Sequence, residues 1–436
     1  MTSRLTIAVC LVLASLFGPV VPATSFLLAG QTSETEAEIQ TLLDRSSVQA
    51  ALRFLEDADD LTMRDLRTLT EIPAPPFMEE RRAEAFLEML TALGVDSVHI
   101  DTEGNVIARR RGRSGSGTVA VAGHLDTVFP EGTDVSVRLA GDTLFAPGVG
   151  DDTRGLAVVL AILRAMNNAG IQTEQDVLFV GTVGEEGLGD LRGMKALFGE
   201  DGPSIDAFIS VDGISDSRVT HQALGSHRYR VTISGPGGHS WGAFGLANPA
   251  HAMGRAIHYF DLAADAFTRG GPRTSYNVGM IEGGTSVNSI PFEVSIQVDM
   301  RSESQEALIQ VDSLFQRSVR RAVEEASISR RSGPPLTVAI DMIGDRPSGE
   351  VALDHTFVQR AMAATRALGI EPEPGRSSTD SNIPISMGIP AVTLGGGGAG
   401  GGGHSPGEWF LNRNGPRGVQ RVLLLVLAQA GLAPVS

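Results

Sequence analysis

The distribution of apolar residues divides the chain into segments with different periodicities. Residues from about Glu36 to Leu93 are typical of amphipathic helices, interrupted once by the proline-rich run IPAPP. From Val98 to Val211, short β-branched runs such as TVAVAG and DVLFVGTV alternate with longer apolar stretches. One of these, from Gly155 to Gly170, predicts a helix that ends at a capping glycine. This alternation predicts an α/β domain with a mostly parallel sheet and helices on both faces.

The rhythm changes near His221, where strands of alternating polarity replace the short buried runs. The segment predicts, in order, a strand in RYRVTISG, a helix from Pro249 to Phe267, strands in SYNVGMIEGG and EVSIQVDMR, a helix from Glu306 to Ala326 and a strand in LTVAIDM. The order β-α-β-β-α-β is the ferredoxin-like α+β pattern. After Arg346 the α/β alternation resumes, with a helix from His355 to Leu368 and a strand in AVTLG. We therefore predict that residues 222–346 form a domain inserted between two parts of the α/β domain, residues 24–221 and 347–436.

The N-terminus has the pattern of an export signal. Arg4 precedes the apolar run LTIAVCLVLASLFGPVV, and Pro22-Ala23 follows it. The Gly18-Pro19 break and the shortness of the run favour a cleaved signal peptide, residues 1–23, over a membrane anchor. We therefore predict a periplasmic or secreted protein with no stable membrane span after cleavage. Cys10, the only cysteine, lies in this segment, so the mature chain has no thiolate ligand and no disulfide.

Composition and charge narrow the class of protein. The 436 residues suffice for two domains with cores, and 42% hydrophobic with 20% charged residues fits a soluble globular chain. The formal net charge is −16, and no basic run is longer than Arg109 to Arg111. Such a chain repels a phosphate backbone, which argues against nucleic acid as a partner.

Five short segments carry side chains that bind metals, and each follows an apolar run. The segments are GHLDT, GVGDDTRG, GEEGLGD, SVDG and GGHSP, with the residues His124, Asp126, Asp151, Asp152, Glu185, Glu186, Asp212 and His404. In an open α/β sheet, ligands bind at the carboxyl ends of the strands. Two histidines and several carboxylates that converge there predict a hydrolytic metal centre.

The residue types within these segments suggest roles. On an extended segment, His124 and Asp126 share a face, so the carboxylate can orient the imidazole. Asp151 can bridge two ions with its two oxygens, whereas Asp152 fits the N-cap of the following helix. Of two adjacent glutamates after an apolar strand, one can bind metal while the other takes a proton from water. Considered singly, each motif is also common in solvent-exposed turns or at helix caps.

A glycine-rich stretch, GGGGAGGGG from Gly395 to Gly403, separates the last predicted strand from His404. By composition alone it is typical of a flexible linker. Its position between a strand and a candidate ligand instead predicts a backbone loop that passes where side chains would not fit. The following Ser405-Pro406-Gly407-Glu408 has the form of a capping box and predicts a helix start.

From about residue 60 to the C-terminus, the chain resembles the di-zinc exopeptidase and deacylase superfamily. That superfamily includes peptidase T, glutamate carboxypeptidase, aminoacylase and succinyl-diaminopimelate desuccinylase. The segments STDSNIP, from Ser378 to Pro384, and HSPGEW are most similar to the peptidase T-like branch. The resemblance implies a general base at Glu185, an orienting residue at Asp126 and metal ligands at His124, Asp151, Glu186, Asp212 and His404, with Asp151 bridging.

The resemblance also implies roles in the inserted domain. His239 in GPGGHSWG and Asn288 in GGTSVNSIP match residues that contact substrate, and His239 would stabilise an oxyanion. Arg301 in VDMRS matches an arginine placed near a substrate carboxylate. In the superfamily this domain serves as a lid and pairs two subunits, which implies a homodimer whose His239 can reach the neighbouring active site.

The implied reaction is hydrolysis of an amide bond in short peptides or N-acyl amino acids. Two divalent ions would be bound, and nitrogen and oxygen ligands favour Zn²⁺ over Co²⁺ or Mn²⁺. Glu185 would deprotonate the bridging water and return the proton to the leaving amine. The resemblance further implies a cis peptide bond between Asp151 and Asp152.

Two other functions remain as alternatives. Gly238 to Gly242 matches G-x-S-x-G, so Ser240, Asp380 and His404 have the residue order of a serine hydrolase. The residues Pro236-Gly237 before it and AFGLAN after it disfavour the strand–turn–helix that a nucleophile elbow needs. The other alternative is a non-catalytic metal-binding protein, in which Glu185 would have no role.

Overall fold

The computed structural model describes residues 34–434, and the predicted signal peptide, residues 1–23, lies outside the described residues. Four helices come first: α1 in residues 34–43, α2 in Ser46–Asp57, α3 in Asp59–Thr70 and α4 in Glu80–Ala92. The proline-rich run at 72–76 separates α3 from α4, as expected from the ring's incompatibility with a helix interior. None of the helices in residues 34–434 has the length and apolarity needed to cross a membrane.

A nine-stranded sheet forms the centre of the α/β part. In chain order its strands are β1 (Ser97–Ile100), β2 (Val106–Arg110), β3 (Thr118–His124), β6 (Asp176–Thr182), β7 (Ala207–Val211), β8 (Arg218–Ala223), β15 (Gly349–Glu350), β16 (Glu373–Ser377) and β17 (Ala391–Leu394). They are arranged β1-β2-β6-β3-β7-β17-β8-β15, with β16 also paired to β8. The four central strands β6, β3, β7 and β17 are parallel, and antiparallel pairs flank them.

Both faces of the central strands are covered. Every residue of β3 and β6 is buried, as expected for parallel strands between two layers of helices. The helices of the α/β part after α4 are α5 (Thr153–Asn168), α6 (Arg192–Leu197), α9 (Thr356–Ala367), α10 (Asn382–Ser386) and α11 (Gly415–Ala430). Their apolar residues share one core cluster with the sheet. The predicted α/β fold class is therefore confirmed.

A second sheet has its own core. Its strands are β9 (Gly225–Ser234), β11 (Thr274–Gly283), β13 (Glu293–Ser302) and β14 (Thr337–Arg346), in the antiparallel order β11-β13-β9-β14. The helices α7 (Pro249–Thr268) and α8 (Gln305–Ile328) pack against it and against each other. The chain order β-α-β-β-α-β is the ferredoxin-like order expected from the sequence. Two further strands of two residues each, β10 (Gly238–His239) and β12 (Ser289–Ile290), pair with each other in a separate small ladder.

A third, small sheet was not expected from the sequence. It joins β4 (Arg138–Ala140), β5 (Thr143–Phe145), β18 (Ala399–Gly401) and β19 (Trp409–Leu411) in the order β18-β19-β5-β4. The run TLFAPG that precedes Asp151 therefore does not belong to the central sheet. The expected helix start at Ser405 to Glu408 is also wrong, because these residues form turns that lead into β19.

Candidate metal centre

Three neighbouring parallel strands place most of the candidate ligands. His124 is the last residue of β3, Glu185 and Glu186 follow β6, and Asp212 follows β7. Because β6, β3 and β7 are adjacent and parallel, their carboxyl ends lie at one edge of the sheet. The central position of β3 sets His124 between the glutamates and Asp212.

The small sheet supplies the other two candidate ligands. Asp151 follows β5, and His404 lies between β18 and β19, which pair with β5 as one sheet. The Asp151–Asp152 peptide bond is cis, as the resemblance implies. Asp152 caps α5 as expected: its Oδ1 accepts the Gly155 N–H at 3.0 Å, and its Oδ2 accepts the His124 N–H at 3.0 Å.

The side chains of four residues converge on Asp151: His124, Glu186, Asp212 and His404. Its Oδ1 lies 3.0 Å from His124 Nε2, and its Oδ2 lies 3.2 Å from His404 Nε2, which is 3.0 Å from Glu186 Oε1. Within residues 34–434, two groups of ligand atoms contain Asp151, each with its atoms within 4.8 Å of one another: His124–Asp151–Asp212 and Asp151–Glu186–His404. A third such group is His124–Glu185–Glu186. A carboxylate shared by two groups, with one oxygen directed to each histidine, suits two divalent cations.

Burial makes this collection of acids costly without a cation. Burial raises the pKa of Asp212 to about 7 and raises that of Glu185 well above its usual range. For Asp151, burial also acts upward, but hydrogen bonds from His124 and His404 outweigh it and lower the pKa. Glu185 is buried and Asp151 and Asp212 are half-buried, so three carboxylates compete for few positive partners, and the donors present fit a site for divalent metal.

The two histidines depend on these carboxylates. Burial alone would lower the pKa of His124, but hydrogen bonds to Asp126 and Asp151 raise it well above its usual range. Hydrogen bonds to Asp151 and Glu186 raise the pKa of His404 to about 10. The His404 side chain is 57% exposed, whereas that of His124 is 2% exposed. The cluster is therefore open to solvent on the His404 side.

Asp126 has more than an orienting role. Its carboxylate accepts the backbone N–H groups of Glu185, at 3.0 Å, and Glu186, at 2.7 Å. His124 Nδ1 lies 3.0 Å from the Asp126 carbonyl oxygen and 3.6 Å from its carboxylate. Asp126 therefore holds both the imidazole and the turn that carries the two glutamates.

Arg346 is a site residue that sequence reasoning missed. Its buried guanidinium donates from Nη1 to Glu185 Oε1 at 3.0 Å and to Ser378 Oγ at 3.1 Å, and Nη2 contacts the Glu185 carbonyl oxygen. Arg346 ends β14, the last strand of the second sheet. No local motif marks it in the sequence. A basic residue at the point where the α/β alternation resumes was the only available indication.

The residues expected to contact substrate lie in the ferredoxin-like unit of residues 225–346, called the second unit below. His239, on β10, and Asn288, just before β12, are close together, since the Ser240 N–H donates to the Asn288 carbonyl oxygen at 2.8 Å. Arg301 lies on β13, where its Nε donates to Asp299 Oδ2 at 2.9 Å. Among the described residues, no hydrogen bond or ion pair links these three side chains to the metal-binding cluster. The structure thus brings His239 and Asn288 together, but not with Glu185.

The serine hydrolase alternative is wrong for this structure. Ser240 lies in the second unit, and Asp380 is buried, with its Oδ2 accepting the Thr182 hydroxyl at 2.5 Å. His404 pairs with Asp151 and Glu186 instead. The Ser240–His404–Asp380 hydrogen bonds of a triad are therefore not formed within the described part of the chain.

Comparison with known proteins places the chain in a family. A carboxylate–histidine cluster at the carboxyl edge of a parallel sheet, beside a glutamate paired with an arginine, is the arrangement expected of a metal-dependent hydrolase. Residues 120–428 match the model of peptidase family M20/M25/M40, which covers more than half of the chain. The chain belongs to this family, and the resemblance to it is confirmed.

Individual relatives agree with this assignment. The chain is 26% identical over 369 residues to an uncharacterised protein, YqjE, of Bacillus subtilis, with 78% of this chain and 89% of that protein covered. It is 24% identical over 360 residues to succinyl-diaminopimelate desuccinylase of Corynebacterium glutamicum, with 81% and 91% covered. The crystal structure of the aminopeptidase PepT of Bacillus cereus has the same fold, with a TM-score of 0.68, 20% identity and coverage of 85% and 99%.

Asp380 yields a prediction about pH. Burial raises its pKa to about 6, and its Oδ1 has no hydrogen-bond partner within residues 34–434. The ionised carboxylate is therefore disfavoured in the folded state. As pH rises from about 4 through 6, Asp380 ionises more readily in the unfolded chain, so the free energy of unfolding falls. In metal-free protein, Asp380→Asn should gain on the order of 3 kcal/mol in unfolding free energy over wild type between pH 4 and pH 8, because a pKa raised from 3.8 to about 6 costs the wild type that much over this range.

Denaturant unfolding at the two pH values measures this difference. The control is Asp96→Asn, at an exposed aspartate whose Oδ2 accepts the Arg111 backbone N–H. A stability difference between Asp380→Asn and wild type that stays constant from pH 4 to pH 8 would contradict the prediction.

Proposed function

We propose that the protein is a di-zinc exopeptidase-type amidohydrolase that cleaves an amide bond in short peptides or N-acyl amino acids. The observation that carries the proposal is the placement of Asp151 between two groups of ligand atoms, with Glu185 beside them. Family membership supports metal-dependent hydrolysis of peptides or amides. The names of the relatives, a desuccinylase and an aminopeptidase, support amide substrates that carry an amino-acid group.

The donor set supports the choice of metal. His124, Asp151 and Asp212 would hold one ion, and Asp151, Glu186 and His404 the other. Imidazole and carboxylate donors without thiolate suit Zn²⁺, Co²⁺ or Mn²⁺, and intrinsic affinity favours Zn²⁺ over the other two. When bound, the ions supply Lewis-acid polarisation of the amide carbonyl and an activated water.

Glu185 is suited to move the proton. Burial raises its pKa, which favours a carboxylate able to take up a proton near neutral pH. Arg346 holds Oε1 at 3.0 Å, whereas Oε2 makes no hydrogen bond to the described residues. That oxygen takes a proton from water and passes it to the nitrogen of the leaving amine.

His239 is suited to donate a hydrogen bond to the developing oxyanion. Its Nδ1 lies 3.2 Å from the backbone N–H groups of both Trp241 and Gly242 and accepts from them, so the proton of the neutral ring is on Nε2. The side chain is exposed, and Nε2 makes no hydrogen bond to the described residues, so its N–H can meet a substrate. To reach a carbonyl near Glu185, His239 must approach by closure of the second unit or come from a second subunit.

The protein is also proposed to form a homodimer through the second unit. The edge strand β11 presents an exposed row that includes Met280 and Ile281, which supports such a dimer.

The protein is further proposed to be exported to the periplasm or secreted, which the sequence pattern of residues 1–23 supports. Cell fractionation and N-terminal sequencing of the mature protein test this proposal.

Glu185 and Glu186 should respond differently to substitution. We expect Glu185→Gln to lower kcat by about 10²–10⁴ while metal content is retained, because the base is lost and the ligands remain. Glu186→Ala should lose metal. Metal analysis by mass spectrometry and steady-state kinetics measure both, with the exposed Glu371→Gln as control. An equal fall in metal content in the two variants would refute the assignment of roles.

Metal removal should abolish activity reversibly. A chelator is expected to eliminate hydrolysis of a panel of free and blocked short peptides, and Zn²⁺, Co²⁺ or Mn²⁺ should restore it. A serine-directed phosphonate, as a matched control, should have no effect. Full activity in protein shown to be metal-free would sink the proposed function.

His239→Ala should lower kcat by about 10²–10³ without loss of metal, the range for removal of one oxyanion donor. The control is His258→Ala, at an exposed histidine on α7 of the same unit. Mixing His239→Ala with Glu185→Gln subunits tests which subunit supplies the histidine. Recovered activity supports a shared site, and no recovery with subunit exchange confirmed would contradict it and favour closure within one chain.

A further inference from the structure

Glu408 is a buried carboxylate whose partners are all backbone N–H groups. Its side chain is almost fully buried, and it forms no ion pair with the described residues. Oε2 accepts the Gly148 N–H at 2.7 Å, and Oε1 accepts the N–H groups of Gly150 at 2.8 Å and of Asp151 at 3.0 Å. These three N–H groups stabilise the buried carboxylate, which would otherwise need a cation as its partner.

The position of Glu408 connects two parts of the candidate metal centre. It lies four residues after His404 and directly before β19, which pairs with β5. The Ala146 N–H donates to the Glu408 carbonyl oxygen at 3.1 Å, so the backbone is fixed beside the loop that leads to Asp151. One side chain therefore ties the segment that carries His404 to the segment that carries Asp151.

The loop before Asp151 is shaped for this contact. A Cβ at Gly150 would lie 3.1 Å from Glu408 Oε1 and 3.3 Å from a methyl carbon of Ile214. Gly148 has a φ of +77°, and a Cβ there would lie 2.6 Å from Thr127 Cγ2. The two glycines of GVGDD, Gly148 and Gly150, thus allow the backbone N–H groups to converge on one carboxylate.

Both oxygens of Glu408 are needed as acceptors. A glutamine would present its NH₂ group either to the Gly148 N–H or to the N–H groups of Gly150 and Asp151. In each orientation a donor faces a donor in a buried place, and at least one backbone N–H loses its partner. Only a carboxylate at this position can accept all three N–H groups, so the conformation of the loop depends on it.

We infer that Glu408 is a positioning residue that holds the Asp151 loop in the conformation needed to bind divalent cations. The inference rests on the proposed function, in which Asp151 is the bridging ligand. Glu408 acts through the backbone N–H of Asp151 and the two glycines before it, and it does not itself reach the cluster of ligand atoms. Groups that orient a metal ligand typically change metal affinity by about 10–100-fold when they are replaced.

The test measures Zn²⁺ dissociation constants of metal-free full-length protein by competition with a chelating dye, together with circular dichroism and thermal unfolding of the metal-free state. Glu408→Gln should bind Zn²⁺ about 10–100-fold more weakly than wild type. The matched control is Glu71→Gln, because Glu71 also accepts a backbone N–H from another segment, that of Val137, and is not near the ligands in sequence. The control should bind Zn²⁺ as wild type does.

Double variants separate positioning from a general effect on the fold. If Glu408 acts through Asp151, its effect on Zn²⁺ affinity should largely vanish in an Asp151→Ala background, since neighbours in one network are not additive. It should persist in an Asp212→Ala background, where a ligand from a different strand is missing. Equal effects in both backgrounds would overturn the inference.

Two other outcomes are decisive. A folded Glu408→Gln with wild-type affinity for Zn²⁺ would contradict the inference alone, whereas a wild type that binds none of Zn²⁺, Co²⁺ and Mn²⁺ would contradict the proposed function as well. If Glu408→Gln does not fold, Glu408→Asp replaces it, because it keeps the charge but is one methylene shorter, so its carboxylate is drawn back from the N–H groups of Gly148, Gly150 and Asp151. Unchanged Zn²⁺ affinity in folded Glu408→Asp would equally overturn the inference.

Discussion

The burial of many carboxylates at one edge of a parallel sheet is the constraint on which the site depends. Each such group must find hydrogen-bond donors or positive charge, because an isolated ionised carboxylate is strongly disfavoured away from water. Two sets of these acids differ in their partners. Asp126, Asp152 and Glu408 are satisfied by backbone N–H groups. The carboxylates of Asp151, Glu186 and Asp212 instead face the histidines or one another, and these are the groups proposed to bind metal.

The first set gives the second its geometry. Asp126 fixes the turn that carries Glu185 and Glu186, and Asp152 joins the start of α5 to the backbone of His124. The small sheet is separate from the central sheet, and the pairing of its strands β5 and β19 brings Asp151 and His404 together. Two buried arginines secure the glycine-rich segment before His404, since Arg154 donates to the Gly396 carbonyl oxygen and Arg421 to that of Gly395.

Much of this architecture could be predicted from the sequence, because the relevant patterns are local. The β-branched runs gave the parallel strands, and alternating polarity with two long amphipathic helices gave the ferredoxin-like unit. The small sheet could not be predicted, since strands of three residues such as Ala399–Gly401 have no measurable periodicity. Ser405 to Glu408 had the form of a helix start, but the partners of Glu408 lie some 260 residues earlier in the chain. Arg346 was missed for the same reason, because only tertiary structure places it on Glu185.

The spread of the site along the chain has a consequence for biosynthesis. His124 is the first of the candidate ligands to leave the ribosome, and His404 and then Glu408 are the last residues of the site to do so. Nascent chains that stop before this point contain the buried acids without the residues that complete their surroundings. The ligand group His124–Asp151–Asp212 is complete once residue 212 has been made, whereas the group Asp151–Glu186–His404 needs His404. The proposed two-ion centre can therefore be completed only after nearly all of the chain has been made.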